Sequence, residues 1–233
     1  MVIENRKELT AANNQTAQSI KNIFEQKNQF STTILKQVSS KMLPASELSR
    51  LTQIDYASYK NNINTFLSDF GSLDRDIISI TIVSETAPDS YDTYIYKNTY
   101  NSDDIPFYST ITNPENLKFI YKYPDEDKYG IEVITSLENP PPDSDSFTIT
   151  ANIRDKSEIT DKIGVIYIRF SKNTLNEVCK SNSSLSKNYV LMLFNDSGKV
   201  FFDSSDVYTN KKYPYTDKLF SEQPYTKLSK TAR

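Results

Sequence analysis

The N-terminal part of the chain carries apolar side chains at the spacing of amphipathic helices. Between residues 5 and 42 apolar or small residues recur at every third or fourth position, and neither glycine nor proline interrupts them. This pattern predicts one long helix, which Pro44 ends. Ser46 is expected to cap a second helix that runs to about Phe70 and ends at Gly71.

From Asp76 onward the period changes to that of β-strands. Two helices followed by an antiparallel sheet with a further helix define an α+β fold. The segment 85–90 is expected to be a loop between the first two strands, and 103–112 a short helix or a loop. The strands are predicted at 77–84, 93–97, 118–123, 131–137, 147–154 and 163–170.

The last third of the chain predicts a change of module. A strand at 163–170 is followed by a short helix at 173–180 and by two apolar runs at 189–194 and 199–202. The turn between these runs contains Asn, Asp, Ser and Gly, which favours a hairpin. We therefore predict stalk helices at 1–72, a PAS-like module at 73–180 and a second PAS-like module at 181–233, which holds too few strands to be complete.

Composition excludes several classes of function. The chain of 233 residues has no histidine, which removes histidine-based catalysis and most transition-metal sites. Its single cysteine, Cys179, cannot form an internal disulfide and is expected in the core. No phosphate-binding or dinucleotide-binding glycine motif is present, so neither an enzyme nor a cofactor is predicted. The net charge of −3 and scattered basic residues argue against nucleic-acid binding.

Tyrosine is the informative enrichment, because eight of the 16 tyrosines lie between residues 91 and 129. Because side chains alternate along a strand, Tyr94 and Tyr96 should share one face of their strand, and Tyr121 and Tyr123 one face of theirs. Such rings suit stacking on sugars or closing a small-molecule cleft. The alternative is that they are half-buried strand residues in a tyrosine-rich chain.

A second candidate group lies on the strand at 147–154, where Asn152 and Arg154 share a face. An arginine there could clamp an anionic ligand through two parallel hydrogen bonds. The alternative is that Arg154 pairs with a nearby acid such as Asp155 or Asp92.

The junction between the two predicted modules carries a resemblance to a known family. A strand with Gly and Ile, a helix with Leu, an apolar strand, a turn with Gly and a strand ending in Asp follow one another. These residues are Gly164, Ile166, Leu175, Tyr189, Val190, Leu191, Gly198, Val200 and Asp203. The arrangement resembles the double Cache (dCache) extracellular domains of bacterial receptors, above all the YesM-like sensor histidine kinases.

The resemblance implies a domain on the extracellular side of the bacterial membrane, between two membrane-spanning helices that lie outside this chain. The long first helix is then a homodimer stalk, and a small-molecule ligand binds in the membrane-distal module. Carried onto this sequence, the ligand-binding residues are Tyr94, Tyr96, Phe107, Tyr108, Tyr121, Tyr123, Asn152 and Arg154. The amino-acid-binding version needs an Arg followed closely by Trp-Tyr after the second strand, which this chain lacks, so a carbohydrate is also a candidate ligand.

The leading hypothesis is therefore the ligand-sensing domain of a transmembrane histidine kinase, which signals through its long helix. This chain lacks the kinase core and is not itself expected to be an enzyme. One alternative is a surface glycan-binding or adhesin-type protein without signalling output. Another is an intracellular coiled-coil protein, in which residues 5–42 pair with a partner.

Overall fold

The structure is a computed structural model of the chain. The residues that it describes are 2–98, 131–134, 146–158, 160–183, 192–194, 200–203, 205, 207–208, 211–215 and 217. The chain forms two compact units, of which one is Asn28–Ser171, the sheet unit, and the other combines Met1–Lys27 with Lys172–Arg233. The domain boundaries predicted at residues 72 and 180 stay a prediction.

Helices and strands follow one another as an α+β fold, which confirms the predicted class. The helices are α1 (Val2–Lys41), α2 (Ala45–Leu48), α3 (Gln53–Gly71) and α4 (Asn173–Ser183). The strands are β1 (Ile77–Ala87), β2 (Ser90–Lys97), β3 (Ile131–Ile134), β4 (Ser146–Arg154), β5 (Lys162–Ser171), β6 (Met192–Phe194) and β7 (Val200–Asp203).

The single helix predicted from Ser46 to Phe70 is wrong, because two helices occupy this segment. Pro44 rather than Ser46 precedes α2, and Thr52 caps α3. The Thr52 hydroxyl accepts a hydrogen bond from the Asp55 backbone N–H at 3.2 Å and donates one to the Asp55 carboxylate at 2.7 Å. A capping residue with an acid three positions later is a helix start, and it divides the predicted helix.

The loop predicted at 85–90 is also wrong. Strand β1 continues to Ala87 and β2 begins at Ser90, so a tight turn of Pro88 and Asp89 remains. Asp89 has a φ of 59°, a left-handed conformation that Asp tolerates better than most residues. The predicted strand at 118–123, the segment 103–112 and the turn at 195–198 lie outside the described residues.

The sheet unit is built on a five-stranded antiparallel sheet with the order β2-β1-β5-β4-β3. Residues that pair across neighbouring strands share a face, and one face is apolar. The Phe147 and Phe170 rings stack on this face, with centroids 5.4 Å apart. Its other buried apolar residues are Ile80, Ile82, Tyr94, Ile149, Ala151, Ile153, Ile166 and Ile168.

Helix α3 packs on the apolar face through β2 and β1. The Tyr59 ring of α3 meets the Tyr94 ring of β2 edge-to-face at 5.9 Å. At the end of α3, a Cβ atom added to Gly71 would overlap the Tyr96 ring. Gly71 is therefore required for the close approach of helix and strand, and it belongs to the helix rather than following it.

A polar cluster connects α3 to β2 by hydrogen bonds. The Asp92 carboxylate accepts hydrogen bonds from the Tyr56 hydroxyl at 2.5 Å and from Lys60 Nζ at 2.6 and 2.8 Å. One turn further along α3, the Asn64 side-chain oxygen accepts the Ile95 backbone N–H at 2.8 Å. Because β2 is an edge strand, this last bond also occupies a backbone donor that is otherwise open to strand addition.

The other unit contains α4 and the β6–β7 pair. Cys179 of α4 is buried, as predicted, and burial raises its pKa to about 11, so the thiol is unreactive at neutral pH. Asp203 at the end of β7 is also buried and accepts hydrogen bonds from Ser205, Val207 and Tyr208. Burial opposes ionisation of Asp203, but these hydrogen bonds outweigh it and lower its pKa.

No helix among the described residues combines the length and apolar character that crossing a membrane requires.

We predict that Gly71→Ala destabilises the protein by about 1–3 kcal/mol, because the added methyl group overlaps the Tyr96 ring. Urea unfolding measures this change. The same substitution in a Tyr96→Ala background should instead be neutral or stabilising, since alanine is the better helix former by about 1 kcal/mol. A stabilising effect of Gly71→Ala alone would contradict the packing described here.

Tyr56 should make the stability of the fold sensitive to alkaline pH. Burial is the larger cause, and the hydrogen bond to Asp92 the second, that raises the pKa of the Tyr56 hydroxyl from 10.0 to about 12. Its contribution is therefore complete below pH 10.0 and is lost as the pH rises through about 12. We expect Tyr56→Phe to cost about 1 kcal/mol at neutral pH and to flatten the alkaline decline. Urea unfolding at a series of pH values measures the free energy of unfolding of both proteins. If the two free energies fell in parallel at alkaline pH, the prediction would be contradicted.

Candidate functional site

The second face of the five-stranded sheet is polar, yet it is as buried as the first. Its side chains come from alternate positions of the three central strands, and each is at most 7% exposed. The polar ones are Ser79 and Thr81 of β1, Ser146, Thr148, Thr150 and Asn152 of β4, and Tyr167 and Arg169 of β5; Val83 and Val165 stand beside Asn152 on the same face.

Alternation in the sequence explains why these residues form strands and share a face. In β4 the order Ser-Phe-Thr-Ile-Thr-Ala-Asn-Ile sends polar side chains to one side and apolar ones to the other. Threonine is β-branched and favours strands. A polar face of an antiparallel sheet usually meets solvent, so a buried one is a candidate site.

Two hydroxyl groups at the centre of this face have no hydrogen-bond partner. Thr81 and Thr150 are the cross-strand neighbours of Tyr167, on either side of it. Both are 0% exposed, and neither Oγ1 atom finds a donor or an acceptor. Leaving a buried hydroxyl unsatisfied costs about 1–3 kcal/mol, so such a pair in one row marks a candidate site for a polar ligand.

Arg169 lies one row along the same strand, between Ser79 and Thr148. Its Nε atom donates to the Ser146 hydroxyl at 2.8 Å, and only 3% of the residue is exposed. Burial lowers its pKa to about 10, and it therefore carries its positive charge at neutral pH. The site thus combines a buried cation with neutral hydroxyl groups.

The structure places the predicted site residues in different surroundings. Asn152 belongs to the polar face, where Val165 is its cross-strand neighbour. The half-buried Arg154 instead donates from Nη1 to the Thr160 carbonyl at 2.7 Å, at the turn between β4 and β5. Asp92, one of the two acids named as alternative partners of Arg154, accepts hydrogen bonds from Tyr56 and Lys60 of α3. A pairing of Arg154 with Asp155 stays a prediction.

Tyr94 and Tyr96 share a strand face as predicted, but it is the face that packs on α3. Tyr94 is 0% exposed. Its burial, and to a smaller extent the neighbouring Tyr59, raise the pKa of its hydroxyl above the usual range. These rings are therefore part of the helix–sheet core, and a role for them in ligand binding stays a prediction. Phe107, Tyr108, Tyr121 and Tyr123 lie outside the described residues.

Sequence reasoning missed the residues that form the centre of the site. The signal was present in the Thr-Ile-Thr alternation of β4 and in Tyr167 and Arg169, which interrupt an otherwise apolar strand. Within the described parts of the chain, no three carboxylate or cysteine side chains are grouped so that they could hold a metal ion.

Solved structures share this fold over most of the chain. The ligand-binding domain of the Pseudomonas aeruginosa amino-acid chemoreceptor PctC, in complex with GABA, has a TM-score of 0.57 and 12% identity, and the match covers 95% of this chain and 84% of that one. The ligand-binding domain of the Campylobacter jejuni chemoreceptor Tlp3, with L-norvaline, has a TM-score of 0.58 and 13% identity, covering 91% and 74%.

The periplasmic sensory domain of the Campylobacter jejuni chemoreceptor Tlp1 is similar to the same degree, with a TM-score of 0.57, 13% identity and coverage of 91% and 77%. No protein-family model matches the chain, and no curated protein matches it in sequence. At these identities the likeness establishes the fold alone, which this chain shares with the ligand-binding and sensory domains of these chemoreceptors.

We predict that Thr150→Val, and equally Thr81→Val, raises the stability of the ligand-free protein by about 1 kcal/mol, because it removes an unsatisfied buried hydroxyl at nearly constant volume. Ser84→Ala is the matched control, since the buried Ser84 hydroxyl donates to the Ile163 carbonyl at 2.9 Å. It should destabilise by about 1 kcal/mol. If the threonine variants lose stability as Ser84→Ala does, their hydroxyls are bonded within the protein. Thermal and urea unfolding measure all three.

Proposed function

We propose that this chain is an extracellular sensor module that binds a small molecule on the polar face of its five-stranded sheet. The observation that carries the proposal is the buried polar face, above all the unsatisfied hydroxyls of Thr81 and Thr150. The likeness in fold to chemoreceptor ligand-binding domains supports the same proposal. Fold alone would not be enough, because one fold serves many functions.

The arrangement of the sheet supplies a route from ligand to helix. Strands β1 and β5 present polar residues to the ligand side and Ile80, Ile82, Ile166 and Ile168 to the helix side. A ligand that favours one packing of the sheet would change the contacts of Tyr94 and Asp92 with α3. It can shift that equilibrium only by the difference between its affinities for the two states, typically a few kcal/mol.

The finer proposal concerns the parent protein. We infer a membrane-bound sensor histidine kinase that dimerises through α1, on the strength of the junction residues between β5 and β7. The coding sequence on either side of this chain tests this point. It should encode one membrane-spanning segment before the chain and one after it, followed by a kinase core. A wall anchor with no second membrane-spanning segment would favour the glycan-binding alternative. A chemoreceptor signalling domain in place of the kinase core would make the parent protein a chemoreceptor rather than a kinase.

Ligand binding is tested by thermal shift against sugars, sugar acids, organic acids, amino acids and peptides. A ligand at 100 times its dissociation constant adds about 2.7 kcal/mol of stability, which is a measurable rise in melting temperature. The rise should shrink in Thr150→Val and persist in Tyr59→Phe, which removes a hydroxyl on the helix side of the sheet that accepts the Leu43 N–H. An equal rise in both variants would mean that the ligand binds elsewhere.

A further inference from the structure

The outer edge of β2 carries backbone N–H groups that face away from β1. In an antiparallel pair only alternate residues direct their N–H and C=O groups to the partner strand, and the residues between them direct theirs outward. The N–H groups of Thr93 and Ile95 donate to side chains rather than to β1, which identifies these two residues as outward-facing. Because β2 is the end strand of the described sheet, its outer edge is a template for pairing with another strand.

Both of these outward donors are occupied by side chains of the same chain. The Thr93 N–H donates to Asp92 Oδ1 at 2.7 Å, and the Ile95 N–H donates to Asn64 Oδ1 at 2.8 Å. We name these two contacts the edge cap. Thr93 and Ile95 are only half-buried, so burial by itself does not cover the edge. An incoming antiparallel strand would compete with the edge cap for both donors.

Helix α3 holds Asn64 beside the edge strand. Tyr56, Lys60 and Asn64 lie four residues apart and therefore form one stripe of the helix. This stripe is about 12 Å long at 1.5 Å per residue. It contacts Asp92 through its first two members and Ile95 through its last, and these two positions of β2 are about 10 Å apart. The stripe thus runs along the edge strand, with its contacts in matching order.

The preferences of the helix do not account for an asparagine at position 64. Asparagine is a poorer helix former than alanine because its side chain competes for backbone hydrogen bonds. The neighbouring positions Ile63 and Leu67 supply the buried apolar contacts of α3 in this region. The hydrogen bond to Ile95 is therefore the contact that explains the residue at this position.

We propose that the edge cap prevents β2 from pairing with β2 of a second copy of this chain. Asn64 is the decisive residue, because an antiparallel pairing of two copies centred on Ile95 uses the N–H and C=O groups of Ile95 in both copies. With Asn64 in place both Ile95 donors are occupied, and without it the edge becomes an association surface. The capped groups are backbone groups at the sheet edge, so the device is separate from ligand binding at Thr81 and Thr150.

Sedimentation velocity over a concentration series tests the role of Asn64. Asn64→Ala removes the accepting oxygen, and we expect self-association at least about tenfold tighter than in the unaltered chain, since two hydrogen bonds become available between copies. Asn61→Ala is the matched control, an exposed asparagine of the same helix, and should change nothing. Asn64→Asp keeps a side-chain oxygen that can accept the Ile95 N–H and should also leave self-association unchanged.

Two further variants separate loss of the edge cap from loss of stability. Tyr56→Phe removes another hydrogen bond between α3 and β2 but leaves the Ile95 N–H capped, so it should not increase self-association. Ile95→Pro in the Asn64→Ala background removes the donor itself, which an edge strand tolerates where the N–H faces outward. This double variant should associate no more than the unaltered chain. Circular dichroism checks that each variant is folded.

Amide exchange followed by nuclear magnetic resonance gives a second measurement that needs no change at Ile95. In dilute Asn64→Ala protein the Ile95 amide should exchange at least about tenfold faster than in the unaltered chain, because its hydrogen bond is lost. Exchange should slow again as the protein concentration rises and copies pair through this strand.

Three results would overturn the proposal. Unchanged self-association of Asn64→Ala would leave Asn64 as a residue that only positions α3. Equal self-association of Asn64→Ala and Tyr56→Phe would mean that loosening of α3, and not loss of the edge cap, exposes the surface. Self-association that Ile95→Pro does not reverse, with no slowing of Ile95 exchange at high concentration, would place the contact elsewhere on the molecule.

Discussion

Burial of the central strands on both faces is the constraint on which the rest of the structure depends. Strands β1, β4 and β5 must supply two sets of side chains that are both removed from water, yet only one set is apolar. The apolar set forms an ordinary core with the helices. The polar set has no such explanation, because buried hydroxyl groups such as those of Thr81 and Thr150 are stable only when they find hydrogen-bond partners.

The two faces of the sheet differ in what their side chains contact. On the helix side, Asp92 ties α3 to the edge strand through Tyr56 and Lys60, and Gly71 lets the end of α3 reach Tyr96. Hydrogen bonds and a close contact of this kind fix the position of α3 on β2. The proposed ligand side needs the opposite property, namely polar groups that are satisfied from outside the sheet, as the hydroxyls of Thr81 and Thr150 would be. One layer of strands thus separates a packing surface from the surface that we propose for binding.

The sequence predicts the elements better than it predicts the site. Strand-length runs of apolar and β-branched residues located β1, β2, β4 and β5, and the three- and four-residue spacing located α1, because these patterns are local. Which strand face meets the helices is not local: Tyr94 and Tyr96 look like ligand-stacking rings until the register places them against α3. The unsatisfied state of Thr81 and Thr150 is likewise set by tertiary packing, and no spacing reveals it. The break before α3 was readable in the Thr52–Asp55 cap but was missed.

The most direct test of this account is a high-resolution crystal structure of the protein as purified, examined at the row of Thr81, Tyr167 and Thr150. The account predicts that a bound small molecule or ordered water lies within hydrogen-bond distance of both threonine hydroxyls. It would be contradicted if both hydroxyls were bonded to other groups of the chain, because the polar face would then be a satisfied part of the core.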